Sequence, residues 1–376
     1  MKIMFVANYM WDIYIFRFGV LKALVEDGYE VIAVAPDDGR VNLEKLIPGI
    51  KTIPITLNKR GINPIEDIKL INELYRIYKT EKPDLIFHYT IKPNIYGTIA
   101  SKLAKRNSIA ILTGLGYSFI QRNFVSKIAV SLYKFSLQFS KEIWVLNDDD
   151  KNTLLTKGIG DKSTIFILPG EGTDCKRFSP LTKVRNDDKI IFLMIARAFI
   201  DKGFKEYEES ARRIKNLYKD KVEFWYLGAL GENAVSGITK DYMDNLVNEG
   251  VLKYLGITDN PENIIKECDV IVLPSYREGI SKTLLEGAAM GKPLIASNVT
   301  GCKEIIEDNK TGFLVNVKDI DDLSNKMKTF INLSNDEKEN MGKLGREKIL
   351  KEFDEKIIIE IYKNKIKLFS NNKQNK

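Results

Sequence analysis

Short runs of Ile, Val and Leu recur along the chain with almost no polar residue inside them, and most are followed by a longer amphipathic stretch. A strand with one face in water alternates apolar and polar residues. One that is apolar throughout is buried on both faces, as in a parallel sheet covered by helices. The runs predict strands at Ile3–Ala7, Glu30–Ala35, Lys51–Ile55, Asp84–Tyr89, Ala110–Thr113, Glu142–Leu146 and Thr164–Leu168, then at Ile190–Ala196, Glu223–Leu227, Leu252–Leu255, Val270–Leu273, Leu294–Ser297 and Gly312–Val315. Helices are expected between them, among others at Phe16–Asp27, Pro64–Thr80, Phe204–Tyr218, Tyr242–Glu249, Ser281–Met290 and Asp319–Leu333. This order predicts an α/β chain of two Rossmann-like, doubly wound parallel-sheet domains. A length of 376 residues suits two domains. Pro180 and the polar run Thr182–Asp188 place the boundary so that residues 1–182 form one domain and 183–353 the other. A last helix, about 354–372, is expected to pack back on the first. Ligands of open parallel sheets lie beyond the carboxyl ends of the strands. Two such sheets facing a central cleft would hold two substrates, one per domain.

Two segments of the second half carry chemistry. In Val270-Ile-Val-Leu-Pro-Ser-Tyr-Arg-Glu278-Gly279-Ile280-Ser281, a buried strand leads through a short loop into a helix that starts near Ser281. The first N–H groups of that helix lack internal partners and, with the helix dipole, favour an anion such as a phosphate. Gly279 lets backbone approach a ligand, Glu278 can accept from sugar hydroxyls, and Glu286, two turns on, suits the vicinal diol of a ribose. An ordinary acidic helix start with a solvent-facing Glu286 is the structural alternative, and spacing alone weighs the two evenly. In Leu193-Met-Ile-Ala-Arg197-Ala-Phe-Ile-Asp-Lys202-Gly203, a buried strand delivers two cations to its end, where they can clamp a diphosphate and stabilise it as it leaves. The alternative, two solvated basic residues, is weakened by a guanidinium directly after so apolar a strand.

These segments resemble family 4 glycosyltransferases of the GT-B fold: Arg197…Lys202-Gly203, then Leu273-Pro-Ser-Tyr-Arg-Glu278-Gly, Glu286 after seven further residues from Gly279, Gly291-Lys-Pro and Gly312. The resemblance implies a retaining, metal-independent transferase using no cofactor, in which Glu278 contacts the donor sugar, Glu286 the ribose, and Arg197 and Lys202 the diphosphate. Ile13-Tyr14-x-Phe16-Arg17, Thr113-Gly114-Leu-Gly116, Met194-Ile-Ala-Arg-Ala198 and Gly301-Cys302 bring the chain nearer to bacterial transferases that build lipid-linked oligosaccharides. The type it most resembles adds N-acetylgalactosamine to undecaprenyl-diphosphate-linked bacillosamine. That implies a UDP-sugar donor, a polyprenyl-diphosphate-linked saccharide acceptor, and Asn8, Tyr9, Arg17, His88, Lys92, Gly114, Gly116 and Glu171 as further substrate contacts beside Gly279, Ile280 and Ser281. The chain departs from the family in Ile280-Ser281, where many relatives have Phe-Pro, in Thr113–Gly116, where many have a histidine, and in a first-strand loop, Ala7-Asn8-Tyr9-Met10, without glycines. His88 and Lys92 each keep a structural alternative, a hydrogen-bonded strand-end histidine and a solvated loop lysine.

The charge is uneven. Residues 1–180 hold 25 Lys+Arg against 19 Asp+Glu, and no acidic residue lies between Asp84 and Glu142. Within that interval Tyr117–Trp144 interleaves Phe119, Phe124, Tyr133, Phe135 and Phe139 with Arg122, Lys127, Lys134 and Lys141, as a helix lying in an anionic membrane interface would. A domain helix with its aromatics in the core is the alternative. No nucleic-acid motif accompanies the charge. Three separated cysteines and a single histidine argue against a metal site. No stretch is long enough to span a bilayer, and the expected location is the cytoplasmic face of the inner membrane, held peripherally. The rival readings are a lipopolysaccharide or capsule hexosyltransferase with another donor, a UDP-sugar epimerase on the same fold, and a non-catalytic module.

Overall fold

The computed structural model describes residues 1–376 except 59–60, 62, 116–118, 120–123, 183, 185–187, 233, 235 and 375–376, and the side chains of 124–125 and 372–374. The chain divides into two compact units, Met1–Glu171 with Glu355–Lys376, and Gly172–Asp354.

The first unit holds a seven-stranded parallel sheet of β1 (Lys2–Val6), β2 (Glu30–Ala35), β3 (Lys51–Pro54), β4 (Leu85–Tyr89), β5 (Asn107–Leu112), β6 (Glu142–Val145) and β7 (Ile165–Ile167), in the order β3-β2-β1-β4-β5-β6-β7. Connecting helices are α1 (Met10–Glu26), α2 (Leu43–Leu46), α3 (Pro64–Glu81), α4 (Thr98–Leu103), α5 (Phe124–Leu137) and α6 (Asp148–Thr156). α3 starts where the sequence places it: Asn63 accepts from the Ile65 N–H, and Pro64 occupies a position that needs no donor. α1 begins at Met10, earlier than expected, burying Met10, Ile13, Val20, Leu21 and Leu24. One face of this sheet is closed from the far end of the chain. Tyr362, on α13 (Glu355–Gln374), packs with ring centroids 5.0 Å from Phe87 and 5.1 Å from Trp144, and all three are fully buried.

The second unit carries β8 (Ile190–Ile195), β9 (Val222–Leu227), β10 (Lys253–Tyr254), β11 (Val270–Leu273), β12 (Leu294–Ser297) and β13 (Gly312–Val315), all parallel, in the order β10-β9-β8-β11-β12-β13. Its helices are α7 (Phe204–Tyr218), α8 (Lys240–Asn248), α9 (Glu262–Ile265), α10 (Lys282–Ala289), α11 (Ile320–Asn332) and α12 (Asn335–Glu352). The chain leaves the first unit after Glu171, ahead of the expected boundary near 182. Cys175 and Phe178 already belong to the second core, and Thr173 bridges to Asp354. In each sheet the strand order reverses once, between β1 and β4 and between β8 and β11. The carboxyl ends of those pairs are the natural ligand positions.

Candidate active site

In the second unit the reversal point gathers the two predicted segments. β8 is buried along Ile191–Met194, and the chain emerges with Arg197 exposed. Its guanidinium lies 5.0 Å from the Phe199 ring centroid and has no carboxylate partner among the described residues. A single turn, Ile200–Lys202, then leads through Gly203 (φ 79°) into α7. A Cβ at Gly203 would stand 2.0 Å from the Pro274 carbonyl oxygen, so a glycine lets this turn lie against the loop that follows β11. The two loops are also tied by polar contacts: the Tyr276 N–H donates to the Asp201 carbonyl at 2.9 Å, and the Ser275 hydroxyl to the same oxygen at 3.3 Å.

This docking brings Lys202 Nζ to 2.7 Å from Glu278 Oε1. Glu278 is held from the other side by its N–H on the Thr300 carbonyl (3.1 Å) and by Gly301, whose absent Cβ would lie 2.6 Å from the Glu278 Cβ. Gly279 and Ile280 are half-buried. Ser281 is buried, and its hydroxyl caps α10 by accepting from the Leu284 N–H at 3.4 Å. Glu286, in the second turn of α10, keeps different company. It is 7% exposed, has Lys282 Nζ at 3.7 Å, and feels Arg177 and Glu262. Burial dominates and pushes its carboxyl up to about 7, against the pull of Lys282 and Arg177. Thus Lys202 and Glu278 are in contact, Arg197 stands at the end of the same strand that leads to Lys202, and Glu286 occupies its own buried niche.

Sequence reasoning missed three features of this rim. A Cβ at Gly228, after β9, would sit 1.8 Å from the Ala196 carbonyl oxygen, which brings that loop against the end of β8. Ile257, after β10, is 75% exposed, the highest value for a large apolar side chain among the described residues. Tyr276 reaches across to α7. The signals were a glycine directly after a strand and an isoleucine outside any core pattern.

The first unit assigns its candidates differently. Arg17 is 3% exposed, ion-paired with Glu171, and its guanidinium carbon stands 3.9 Å from the Tyr89 ring centroid. The Tyr89 hydroxyl meets that of Tyr362 at 2.7 Å. Two residues expected to touch substrate therefore neutralise each other inside the unit, because a buried guanidinium must be paired. His88 is likewise withdrawn from solvent. It is fully buried, 2.9 Å from the Tyr78 hydroxyl and 3.3 Å from Thr98 Oγ1, and burial lowers it to about 3, so it stays neutral. This matches the structural alternative for His88. Lys92 is 8% exposed and bound to Asp67 at 2.6 Å, not a solvated loop lysine. Asn8 and Tyr9 are half-buried at the end of β1, and Asn8 Oδ1 is buried with no hydrogen-bond partner among the described residues. Gly114 follows β5 at φ 128°. Gly116, Tyr117 and Arg122 lie outside the described residues, as does the Phe124 side chain.

On α5 and just beyond it the aromatics divide. Tyr133 is buried, as is Phe119 ahead of the helix, whereas Phe135 is 54% exposed beside exposed Lys134 and packs edge-on against Phe139 at 5.4 Å. Among the described residues no group of three or more His, Cys, Asp or Glu side chains is placed to hold a metal, and no helix is long and apolar enough to cross a membrane.

Residues 178–348 match the family described as Glycosyl transferases group 1, and residues 2–147 match Glycosyl transferase 4-like. The chain is 30% identical, over 96% of its length and 97% of the relative's, to the N,N'-diacetylbacillosaminyl-diphospho-undecaprenol alpha-1,3-N-acetylgalactosaminyltransferase of Campylobacter jejuni. It is 29% identical, over 78% of each chain, to the UDP-Gal:alpha-D-GlcNAc-diphosphoundecaprenol alpha-1,3-galactosyltransferase of Escherichia coli. Among solved structures, sucrose-phosphate synthase of Thermosynechococcus elongatus superposes with a TM-score of 0.81 at 18% identity, covering 99% of this chain and 100% of that one. Anabaena HepE, solved with UDP and glucose, gives 0.78 at 18% identity, covering 98% and 99%. These likenesses show the GT-B fold, with two parallel-sheet α/β domains.

Proposed function

The chain belongs to the Glycosyl transferases group 1 family, and on that footing we propose that it moves N-acetylgalactosamine or another N-acetylhexosamine from a UDP-sugar to a polyprenyl-diphosphate-linked saccharide, with retention and without a metal. The observation that carries the reading is the Lys202–Glu278 contact at the reversal point of the second sheet, with Arg197 at the end of the adjoining strand and without a carboxylate partner among the described residues. The 30% identity to an enzyme named for N-acetylgalactosamine transfer to an undecaprenol-linked sugar supports the substrate class.

In this reading Arg197 and Lys202 take the diphosphate, helped by the N-terminus of α10. Glu278, relieved of Lys202, accepts from hydroxyls of the donor sugar, with Gly279 and Ile280 lining its place. Glu286 accepts from the ribose diol. The acceptor hydroxyl attacks on the face the diphosphate leaves, and the departing phosphate oxygen takes its proton. Electrostatic stabilisation of that leaving group is the principal contribution of the protein. Asn8, Tyr9 and Gly114 lie at the carboxyl edge of the first sheet, where the acceptor would bind. The exposed Phe135 and Ile128 with Lys127 and Lys134 would dock α5 to an anionic leaflet, placing the enzyme at the cytoplasmic face of the inner membrane.

A second reading changes only the donor. A relative at 29% identity is named as a galactosyltransferase, and Ile280-Ser281 stands where the donor sugar would lie. A thermal-shift screen of nucleotide sugars, followed by mass spectrometry of the product on a lipid-linked acceptor, separates the two. Conversion of donor without any acceptor would instead indicate an epimerase, and no nucleotide binding at all would remove the transferase reading.

A further inference from the structure

The loop that bears Glu278 is fastened by a side chain to which the proposed chemistry gives no task. Tyr276, two residues ahead of Glu278, donates its hydroxyl to Glu206 Oε1 at 2.9 Å. Glu206 lies in the first turn of α7. It is 7% exposed, and its Oε2 has no partner, so this hydroxyl is the only hydrogen-bond donor to the Glu206 side chain among the described residues. A carboxylate so buried and so sparsely satisfied is disfavoured unless its surroundings hold it in place, and the positive end of the α7 dipole helps to do so. Lys318 Nζ lies 4.6 Å from the centroid of the Tyr276 ring, and the Tyr276 backbone is bound to Asp201.

Lys202 is followed by Gly203, the residue that opens α7. Both members of the Lys202–Glu278 pair are therefore fixed to one reference, the first turn of that helix. Lys202 is fixed through the chain, and Glu278 through Tyr276. We propose that Tyr276, acting through Glu206, is a positioning residue that sets the place of the Glu278 carboxylate for the donor sugar. The inference rests on the reading of Glu278 and Lys202 as donor contacts. Tyr276 itself touches no reacting atom; it limits how far the Glu278 loop can drift from the cations that hold the diphosphate. Misplacement of about 1 Å at a reacting centre is enough to lower turnover by one to two orders of magnitude.

The test is steady-state transfer by the full chain with UDP-N-acetylgalactosamine and a lipid-linked acceptor, with UDP affinity measured alongside. Tyr276→Phe is expected to lower kcat about tenfold or more while the donor KM and UDP affinity stay within about twofold. Glu206→Gln, which keeps an acceptor for the hydroxyl, is expected to preserve turnover. Glu206→Leu should match Tyr276→Phe, and the double variant should be no worse than either single one, since both break the same link. Wild-type kcat in Tyr276→Phe, or additive losses in the double variant, overturns the proposal. Lys202→Ala is run in parallel. If it abolishes transfer while Tyr276→Phe does not lower it, only the positioning role falls. If Lys202→Ala transfers at the wild-type rate, the donor-site reading falls and the positioning role with it.

Discussion

Lys202 Nζ stands 2.7 Å from Glu278 Oε1, so the cation assigned to the diphosphate and the carboxylate assigned to the sugar neutralise each other directly. In the proposed function a donor parts them, giving phosphate to one and hydroxyls to the other. The two side chains are only 20% and 14% exposed, so removing Lys202 also takes the cation from a mostly buried carboxylate and should cost stability as well as turnover. Lys202→Ala and Arg197→Ala should each lower kcat by roughly two to three orders of magnitude, as loss of one donor to a developing anion does; for the exposed Arg197 little change in melting temperature should accompany the loss. Full activity in either variant removes that cation from the diphosphate.

Glu286 gives a pH dependence with a definite sign. Its carboxyl is raised to about 7 in the folded chain and titrates near 4.5 when unfolded. The folded state thus binds the extra proton, and the associated stability is present below about 4.5 and lost as pH rises through 7. The melting temperature of wild type relative to Glu286→Gln should fall from pH 5 to pH 8, by an amount corresponding to roughly 3 kcal/mol. Because a ribose diol needs the ionised acceptor, UDP affinity should weaken below pH 7 in wild type and not in Glu286→Gln. A flat difference curve between the two would remove both effects.

His88 acts in the opposite direction. Burial lowers it to about 3 from an unfolded value near 6.5, so the unfolded chain takes up the proton first and stability is lost as pH falls below 6.5. At pH 5 the loss is roughly 2 kcal/mol. Urea midpoints measured from pH 7 to pH 5 should decline more steeply in wild type than in His88→Asn. Equal slopes would mean that the ring is not shielded as the structure places it.

The sheets were legible because buried parallel strands announce themselves: the apolar runs around Phe5, Phe87, Phe192 and Val272 all became strands. α12 was not foreseen. It contacts its surroundings through Met341, Gly342, Gly345 and Ile349, and a Cβ at Gly342 would lie 1.9 Å from the Gly291 carbonyl oxygen. A helix that packs by glycine offers no apolar stripe, and glycine argues against helix on propensity alone. At the site, the motifs placed Lys202 and Glu278 at the end of the same sheet, as the spacing implied. The same style of reading did not foresee that Arg17 and Glu171 pair with each other, because a cation and an anion 154 positions apart give no sign in sequence that they will meet.

Arg17 and Glu171 predict a stability phenotype. Their side chains are 3% and 13% exposed, so Arg17→Met takes the guanidinium away from a largely buried carboxylate, at a cost of about 3–5 kcal/mol. Arg17→Met combined with Glu171→Leu should recover much of that loss in urea unfolding. If Arg17→Met instead melts like wild type and raises only the acceptor KM, Arg17 is a substrate contact after all.

The outer face of α5 predicts weak, reversible membrane binding. Each cation near an anionic leaflet contributes about 1 kcal/mol, and the exposed Phe135 adds apolar contact. Wild type should float with vesicles containing anionic lipid and less so with neutral ones, and Lys134→Glu with Phe135→Ser should stay at the bottom of the gradient. No flotation of wild type on anionic vesicles removes the docking reading.

Tyr362 closes the face of the first sheet from a helix that begins only at Glu355, after the whole of Gly172–Asp354 has intervened. The second unit is thus an uninterrupted length of chain set inside the first. On the ribosome, the sheet built from residues 1–171 waits with Phe87 and Trp144 uncovered while the entire second unit emerges and folds. A nascent chain halted between β7 and α13 presents that open aromatic surface to chaperones, and a premature stop there strands the amino-terminal half unfinished although all seven of its strands have been made.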